Sequence, residues 1–288
     1  MGFEFKKLGA AAGVEVVGLD VLQPWDDETR RAVLAAFVDN LVLVFRAQAM
    51  TPPQFMAFAR NFGALQPHVA KKYRHPEAED IVMMTNVDKD GNFDKVGASR
   101  GVGWHSDLSY EQTPAKATVL HAVELPDRGG DTRFANMYMA YEAMPERLKR
   151  RITGLKAAFR YGGRQGLSTG HLSAEDKAKP EVIHPVVRRH PESGRPSIYV
   201  NPYHALRIVG MPADESDALL DEIFAWCDRP EFQWRHSWCM GDTIVWENRS
   251  AVHSATLDYP LDQRRIFMRA TVRGTNTLTE ALMPGRAA

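Results

Sequence analysis

The chain has 288 residues, and its 36 basic and 36 acidic side chains cancel to a net charge of zero. That balance removes the polyelectrolyte attraction on which a nucleic-acid or anionic-membrane binder relies, so a small molecule or a protein is the expected partner. A hydrophobic content of 44%, with 21 glycines and 17 prolines, excludes a disordered or collagen-like chain and suits a globular one with a sizeable core.

In chain order, Val14 to Val21 alternates weakly, and Asp26 or Asp27 is placed to cap a helix running to Asn40. Leu41 to Phe45 reads as a short buried strand. Thr51-Pro-Pro is an N-cap followed by proline in the first turn, and Phe55, Phe58, Ala59 and Phe62 recur at helical spacing before Gly63. Ile81 to Val87 and Ala117 to Leu125 are β-rich and bounded by turn residues. Met137 to Gly154 has helical spacing, and Pro191-Glu-Ser-Gly joins two apolar runs as a hairpin. Asp214 to Asp228 is an amphipathic helix, followed by strand-like runs at Phe232 to Trp238, Thr243 to Trp246 and Arg265 to Val272. Strands dominate the second half, and residues 163 to 182 form a polar excursion.

Every apolar stretch falls short of the roughly 18 to 20 uninterrupted residues of a membrane span, and Met1 to Ala12 lacks the pattern of a secretory leader. Cys227 and Cys239 are too few for a disulfide framework. These features predict a cytoplasmic protein with two reduced thiols. All-β barrels and sandwiches of this length commonly form one domain, which is the expectation over residues 1 to 288.

Trp104-His105-Ser106-Asp107 contains an H-x-D. On a strand, side chains at i and i+2 share a face, which would turn His105 and Asp107 toward one ion. His253 follows the apolar strand around Trp246 and precedes a loop, and two His with one Asp make the facial triad that leaves iron(II) coordination positions open. Twelve residues after His253, period-two alternation puts Arg265, Phe267, Arg269 and Thr271 on one face, and Ile266, Met268, Ala270 and Val272 on the other. Inward arginines call for anions, and Arg suits a carboxylate because it can donate two parallel hydrogen bonds. By the same parity Arg264 should point away.

These residues, with Phe62-Gly63, Glu124-Leu125-Pro126, Gly129-Gly130-Asp131-Thr132, His184-Pro185-Val186-Val187, Tyr199-Val200-Asn201 and Trp246-Glu247-Asn248-Arg249, occur in an order that resembles the taurine and aryloxyalkanoate (2,4-D) group of iron(II)- and 2-oxoglutarate-dependent dioxygenases. The resemblance runs from Val14 to Val272. It implies a mostly β fold with outer helices, a double-stranded β-helix or distorted jelly roll. It further implies that His105, Asp107 and His253 ligate Fe(II), that Thr132 and Arg265 bind the distal carboxylate of 2-oxoglutarate, and that Arg269 and His68 contact substrate. The implied reaction consumes O2 and 2-oxoglutarate, releases succinate and CO2, and hydroxylates a small anionic acid such as an aryloxyalkanoate. Alkyl sulfonates and sulfate esters are alternatives. Taurine enzymes carry an asparagine shortly before the first histidine, where this chain has Gly101-Val102-Gly103, which argues against taurine itself.

Two rivals from other classes use the same residues: a zinc hydrolase with a His, Asp, His site and an open water position, and a non-catalytic jelly-roll module that binds an acid. A hydrolase needs no cationic cosubstrate pocket, so Thr132 and Arg265 argue against it. Loops at roughly 66 to 75, 88 to 103 and 160 to 182 are expected to form the substrate pocket, and a homo-oligomer, dimer or tetramer, is expected.

Overall fold

Short β-branched runs separated by turn residues fold here as strands of two facing sheets, with the longer amphipathic runs laid outside them. The computed structural model describes residues 2–67, 74–75, 78–164 and 178–282. Its strands are β1 (Glu4–Lys7), β2 (Val14–Val17), β3 (Val42–Phe45), β4 (Arg74–His75), β5 (Ala78–Thr85), β6 (Ala115–Glu124), β7 (Thr132–Asn136) and β8 (Lys156–Phe159). They continue with β9 (Val182–Pro185), β10 (Val187–Arg189), β11 (Pro196–Ile198), β12 (Ala205–Ile208), β13 (Gln233–His236), β14 (Thr243–Glu247), β15 (Ala251–Ala255) and β16 (Ile266–Arg273). The helices are α1 (Asp27–Asn40), α2 (Pro52–Arg60), α3 (Lys95–Ala98), α4 (Met137–Glu142), α5 (Glu146–Ile152) and α6 (Ala213–Cys227).

The major sheet has the order β1-β2-β3-β14-β6-β16-β5-β4, and a smaller sheet, β13-β7-β15, faces it. Leu120 and Ala122 of β6, Ile244 and Trp246 of β14 and Phe267 of β16 point between the sheets, where they meet Phe134 of β7 and Ala251 of β15. The alternate residues, Ala117, Val119, Val245, Met268, Ala270 and Val272, face outward and pack on Val33 and Phe37 of α1 and on Phe55 and Phe58 of α2. This is the expected distorted jelly roll, and its period of two decides which side chains reach the interior. A third apolar cluster packs α4 to α6 behind β7 and β15 through Ala135, Leu148, Leu220 and Val252. No helix of the described residues is long and apolar enough to cross a membrane.

Local chemistry explains the boundaries. Asp26, not Asp27, is the N-cap of α1, its Oδ1 accepting from the Thr29 N–H at 2.7 Å. Thr51 and Gln54 form a capping box at the start of α2, which ends at Arg60 instead of running to Gly63. The helical pattern of residues 137 to 154 is two helices, because Pro145 cannot donate to a preceding turn and instead opens α5. The 191–194 loop joins β10 to β11 as expected, with Val187 opposite Ile198. Phe232 closes a 3-10 turn before β13, and β8 and β12, unforeseen in the sequence, pair with each other.

His184 illustrates how deep the polar groups lie. Its Nε2 donates to the Glu111 carbonyl at 3.1 Å, so Nδ1 accepts from the Thr277 hydroxyl at 2.5 Å. That pattern needs the neutral ring, and burial, then the cation of Arg188, push its pKa down to about 4. The unfolded chain takes up this proton near 6.5, so His184 contributes stability that is complete above that pH and is lost as pH falls toward 4. Urea midpoints at pH 7, 5.5 and 4.5 should fall steadily for the native chain and more gently for His184→Gln; identical slopes would remove His184 as a cause.

Candidate active site

The site is built around a backbone pairing between two distant residues. His105 and His253 form an isolated antiparallel bridge, His105 N–H donating to the His253 carbonyl at 3.0 Å and His253 N–H returning to His105 at 2.8 Å. Their rings face each other with centroids 4.1 Å apart. His253, expected just after an apolar strand and before a loop, lies within a strand of its own, β15, and its ring packs against Phe134 and Trp246. His105 is outside the named strands and Asp107 opens a turn, so the shared-face argument for a strand does not explain why they converge. The bridge to β15 does so, by fixing His105 and letting the chain turn inward at Asp107.

His105, Asp107 and His253 are all buried, and one potential ligand atom from each lies within 4.8 Å of the others. The Nε2 atoms stand 3.8 Å (His105) and 3.7 Å (His253) from the two Asp107 oxygens. The His105 Nδ1 donates to the Gly103 carbonyl at 2.8 Å, so its Nε2 carries a lone pair. Burial is the main force lowering both imidazole pKa values, His253's strongly, and this keeps them neutral and able to donate electron pairs. Burial alone would raise the Asp107 pKa, but Arg269 and then the two histidines outweigh it and hold the carboxyl below the usual carboxylate range. An anionic carboxylate and two neutral imidazoles are the donor set suited to a divalent transition metal that keeps open positions. A second group, His190, Glu192 and Glu247, also lies close together, but Arg249 bonds both carboxylates and already supplies the countercharge.

Arg269, in β16, and Arg265, just before that strand, both face the interior, as the alternation predicts, whereas Arg264 turns outward to Glu124 at 3.3 Å. Arg269 Nη2 lies 2.6 Å from Asp107 Oδ1, and its buried Nε has no hydrogen-bond partner among the described residues. The sequence reading did not foresee this contact with Asp107. Arg265 is buried differently. Its Nε and Nη2 both donate to the Gly130 carbonyl, at 3.0 and 2.8 Å, and its guanidinium lies over Phe267. Burial pulls its pKa down to about 10, with Tyr259, Asp131 and Asp258 only partly offsetting the loss of water. Such a cation, solvated by one carbonyl and an aromatic face, is stabilised by any carboxylate that reaches it. Thr132 is buried at the start of β7 in the facing sheet and accepts from Trp238 Nε1 at 3.1 Å.

His68 lies outside the described residues, as do parts of the loops expected at 66 to 75 and 160 to 182. The sequence reading missed an aromatic group next to the histidines. Tyr203 stands 5.4 Å from the His105 ring, Tyr110 stands 4.9 Å from His204, and Tyr161 stands 5.0 Å from Tyr110. His204 is buried, its ring 6.0 Å from that of His105. Only Tyr199-Val200-Asn201 hinted at this wall: Asn201 accepts the His204 N–H and donates to Ser109, which in turn bonds the His204 ring.

Residues 4–271 match the model of the "Taurine catabolism dioxygenase TauD, TfdA family". The chain is 35% identical over 275 residues to an alpha-ketoglutarate-dependent 2,4-dichlorophenoxyacetate dioxygenase of Cupriavidus pinatubonensis, covering 91% of this chain and 93% of that one. It is 32% identical to an (S)-phenoxypropionate/alpha-ketoglutarate-dioxygenase of Sphingobium herbicidovorans, covering 97% and 98%. Among solved structures it resembles AAD-2 in complex with Mn(II) and N-oxalylglycine, with a TM-score of 0.81 at 30% identity over 96% of this chain and 100% of that one. With a family match across nearly the whole chain and a His, Asp, His group at its centre, this protein belongs to the TauD/TfdA family and is an Fe(II)- and 2-oxoglutarate-dependent dioxygenase.

Proposed function

We propose that the enzyme hydroxylates a small aromatic carboxylic acid of the aryloxyalkanoate type, using His105, Asp107 and His253 to hold Fe(II). The observation that carries this reading is the placement of Arg269, a largely buried guanidinium beside Asp107 whose Nε has no hydrogen-bond partner among the described residues, within electrostatic reach of Tyr110, which packs on Tyr161 next to Tyr203. A carboxylate held by Arg269 would direct the rest of an aryl acid toward those rings. Relatives that act on 2,4-dichlorophenoxyacetate and phenoxypropionate support the same class.

Iron(II) with 2-oxoglutarate supplies the oxidising chemistry, releasing succinate and CO2 from the cosubstrate and O2. The chain's own residues do the positioning. Arg265 presents the Nη1 and Nη2 end of its fork to the distal carboxylate of 2-oxoglutarate, because Nε and one Nη2 hydrogen are held by the Gly130 carbonyl. Thr132 is fixed by Trp238 to meet the same carboxylate. Phe134, Trp246 and Phe267 exclude water around the ligands, which strengthens each charged contact inside. Hydroxylation at a carbon bearing an ether oxygen gives an unstable hemiacetal, so an aryloxyacetate would break into a phenol and a 2-oxo acid.

The test is an anaerobic titration of Fe(II) and then 2-oxoglutarate into metal-free protein, followed by a panel of acids. A visible charge-transfer band that appears with 2-oxoglutarate and shifts with an aryloxyalkanoate is the expected result. A shift given only by alkyl sulfates would replace the substrate class, and tight zinc binding with no such band would overturn the metal assignment.

A further inference from the structure

We propose that the hydroxyl of Thr118, its proton aimed by Asn248, is a positioning device that fixes the Asp107 carboxylate for metal binding. Thr118 projects from β6 into the interior, opposite Thr271 of β16. Its Oγ1 donates to Asp107 Oδ2 at 2.5 Å. A hydroxyl has one proton, and whether it goes to Asp107 depends on what else the oxygen meets.

Asn248 settles that direction. Its Oδ1 accepts two hydrogen bonds from groups that can only donate, the Asp107 N–H at 3.2 Å and the Trp246 indole N–H at 3.1 Å. The amide orientation is therefore fixed, with Nδ2 toward Thr118 Oγ1 at 3.0 Å. Because Nδ2 donates into the Thr118 oxygen, the Thr118 proton is left for Asp107. Asn248 is itself held by its backbone, its N–H donating to the Lys116 carbonyl at 2.9 Å and its carbonyl accepting from Ser106 Oγ at 2.6 Å. It is buried, and its polar groups join the β14–β15 turn both to β6, at Lys116 and Thr118, and to the H-x-D segment, at Ser106 and Asp107.

The arrangement divides the carboxylate between two donors. Oδ2 is held by Thr118 while Oδ1 meets Arg269. Arg269 keeps some exposure to solvent and is the residue proposed to hold substrate, whereas Thr118 and Asn248 are fully buried, so theirs is the contact shielded from water. The inference rests on Asp107 being a metal ligand. Partners that orient a ligand in this way commonly change metal affinity by about 10- to 100-fold when removed.

The experiment titrates Co(II) anaerobically into the metal-free full-length chain and follows its visible d–d absorption. Thr118→Val, nearly isosteric but without the hydroxyl, should weaken Co(II) binding by about tenfold or more, and Thr118→Ser, which keeps it, should bind within about threefold of the native chain. Thermal midpoints of the metal-free variants establish that both are folded, and Thr118→Ala replaces the valine variant if that one is not. Co(II) affinity within threefold of native in both hydroxyl-free variants, or equal weakening by serine and valine, would overturn the proposal. Asp107→Ala in the same titration separates the two readings: binding that survives it removes Asp107 as a ligand, while binding lost in Asp107→Ala but intact in Thr118→Val defeats only the role of Thr118.

Discussion

Asp107→Ala is expected to lower turnover by at least about a thousandfold, equivalent to more than ~4 kcal/mol of lost transition-state stabilisation. The carboxylate is the single anion within the His, Asp, His group, and without it two neutral imidazoles must hold a divalent ion alone. A second consequence concerns the folded state. Arg269 would lose the partner 2.6 Å away and remain largely buried as an unpaired cation, a situation that commonly costs about 3–5 kcal/mol. Asp107→Asn separates the effects, because its amide oxygen can still accept from Arg269 or Thr118 while the negative charge on the metal side is gone. Single-turnover release of succinate, measured beside the thermal midpoint of each variant, is the check. An Asp107→Asn enzyme that keeps more than a tenth of native turnover would show that the carboxylate charge is dispensable.

Arg265→Ala is expected to raise the KM for 2-oxoglutarate by about 30- to 5000-fold, in keeping with ~2–5 kcal/mol for truncating one partner of a buried charged pair. The KM for substrate should stay within about threefold, because the interior Phe267 separates Arg265, just before β16, from Arg269 within it, and it is Arg269 that touches Asp107. Arg265→Lys keeps the charge but cannot hold the Gly130 carbonyl and a carboxylate with one planar fork, so an intermediate loss is expected. Equal rises in both KM values would mean that Arg265 supports the site as a whole and does not select the cosubstrate.

Much of this site is legible in the sequence because β16 obeys an invariant period. Once Met268, Ala270 and Val272 are recognised as the apolar face against the helices, Arg265 and Arg269 must turn inward, and the structure places them so. The same rule applied to His105 and Asp107 reached the right pair for the wrong local reason, since neither lies on a named strand. The strand-rich segment that ends at His253 is in fact two strands, β14 and β15, a division the sequence does not announce because Ala251-Val-His-Ser-Ala is short, carries small residues and follows a tight turn. Tyr110, Tyr161, Tyr203 and His204 come from three separate segments and meet only through tertiary packing, which no local pattern announces. Thr118 looked like one β-branched residue among several in β6, and its hydroxyl acquires meaning only beside Asn248.

The reciprocal backbone bonds between His105 and His253 bear on how the enzyme acquires its ion. Two residues far apart in sequence are held in register by main-chain hydrogen bonds that owe nothing to the side chains. The ligand array is thus assembled by folding itself, and an arriving cation has little chain ordering to drive, in contrast to small domains that fold only around their metal. A rigid array of this kind discriminates weakly among divalent ions of similar radius, and the general affinity order places copper and zinc above iron. Which ion occupies such a site is then a matter of supply, so in a metal-rich medium the protein can fold fully and still be inert.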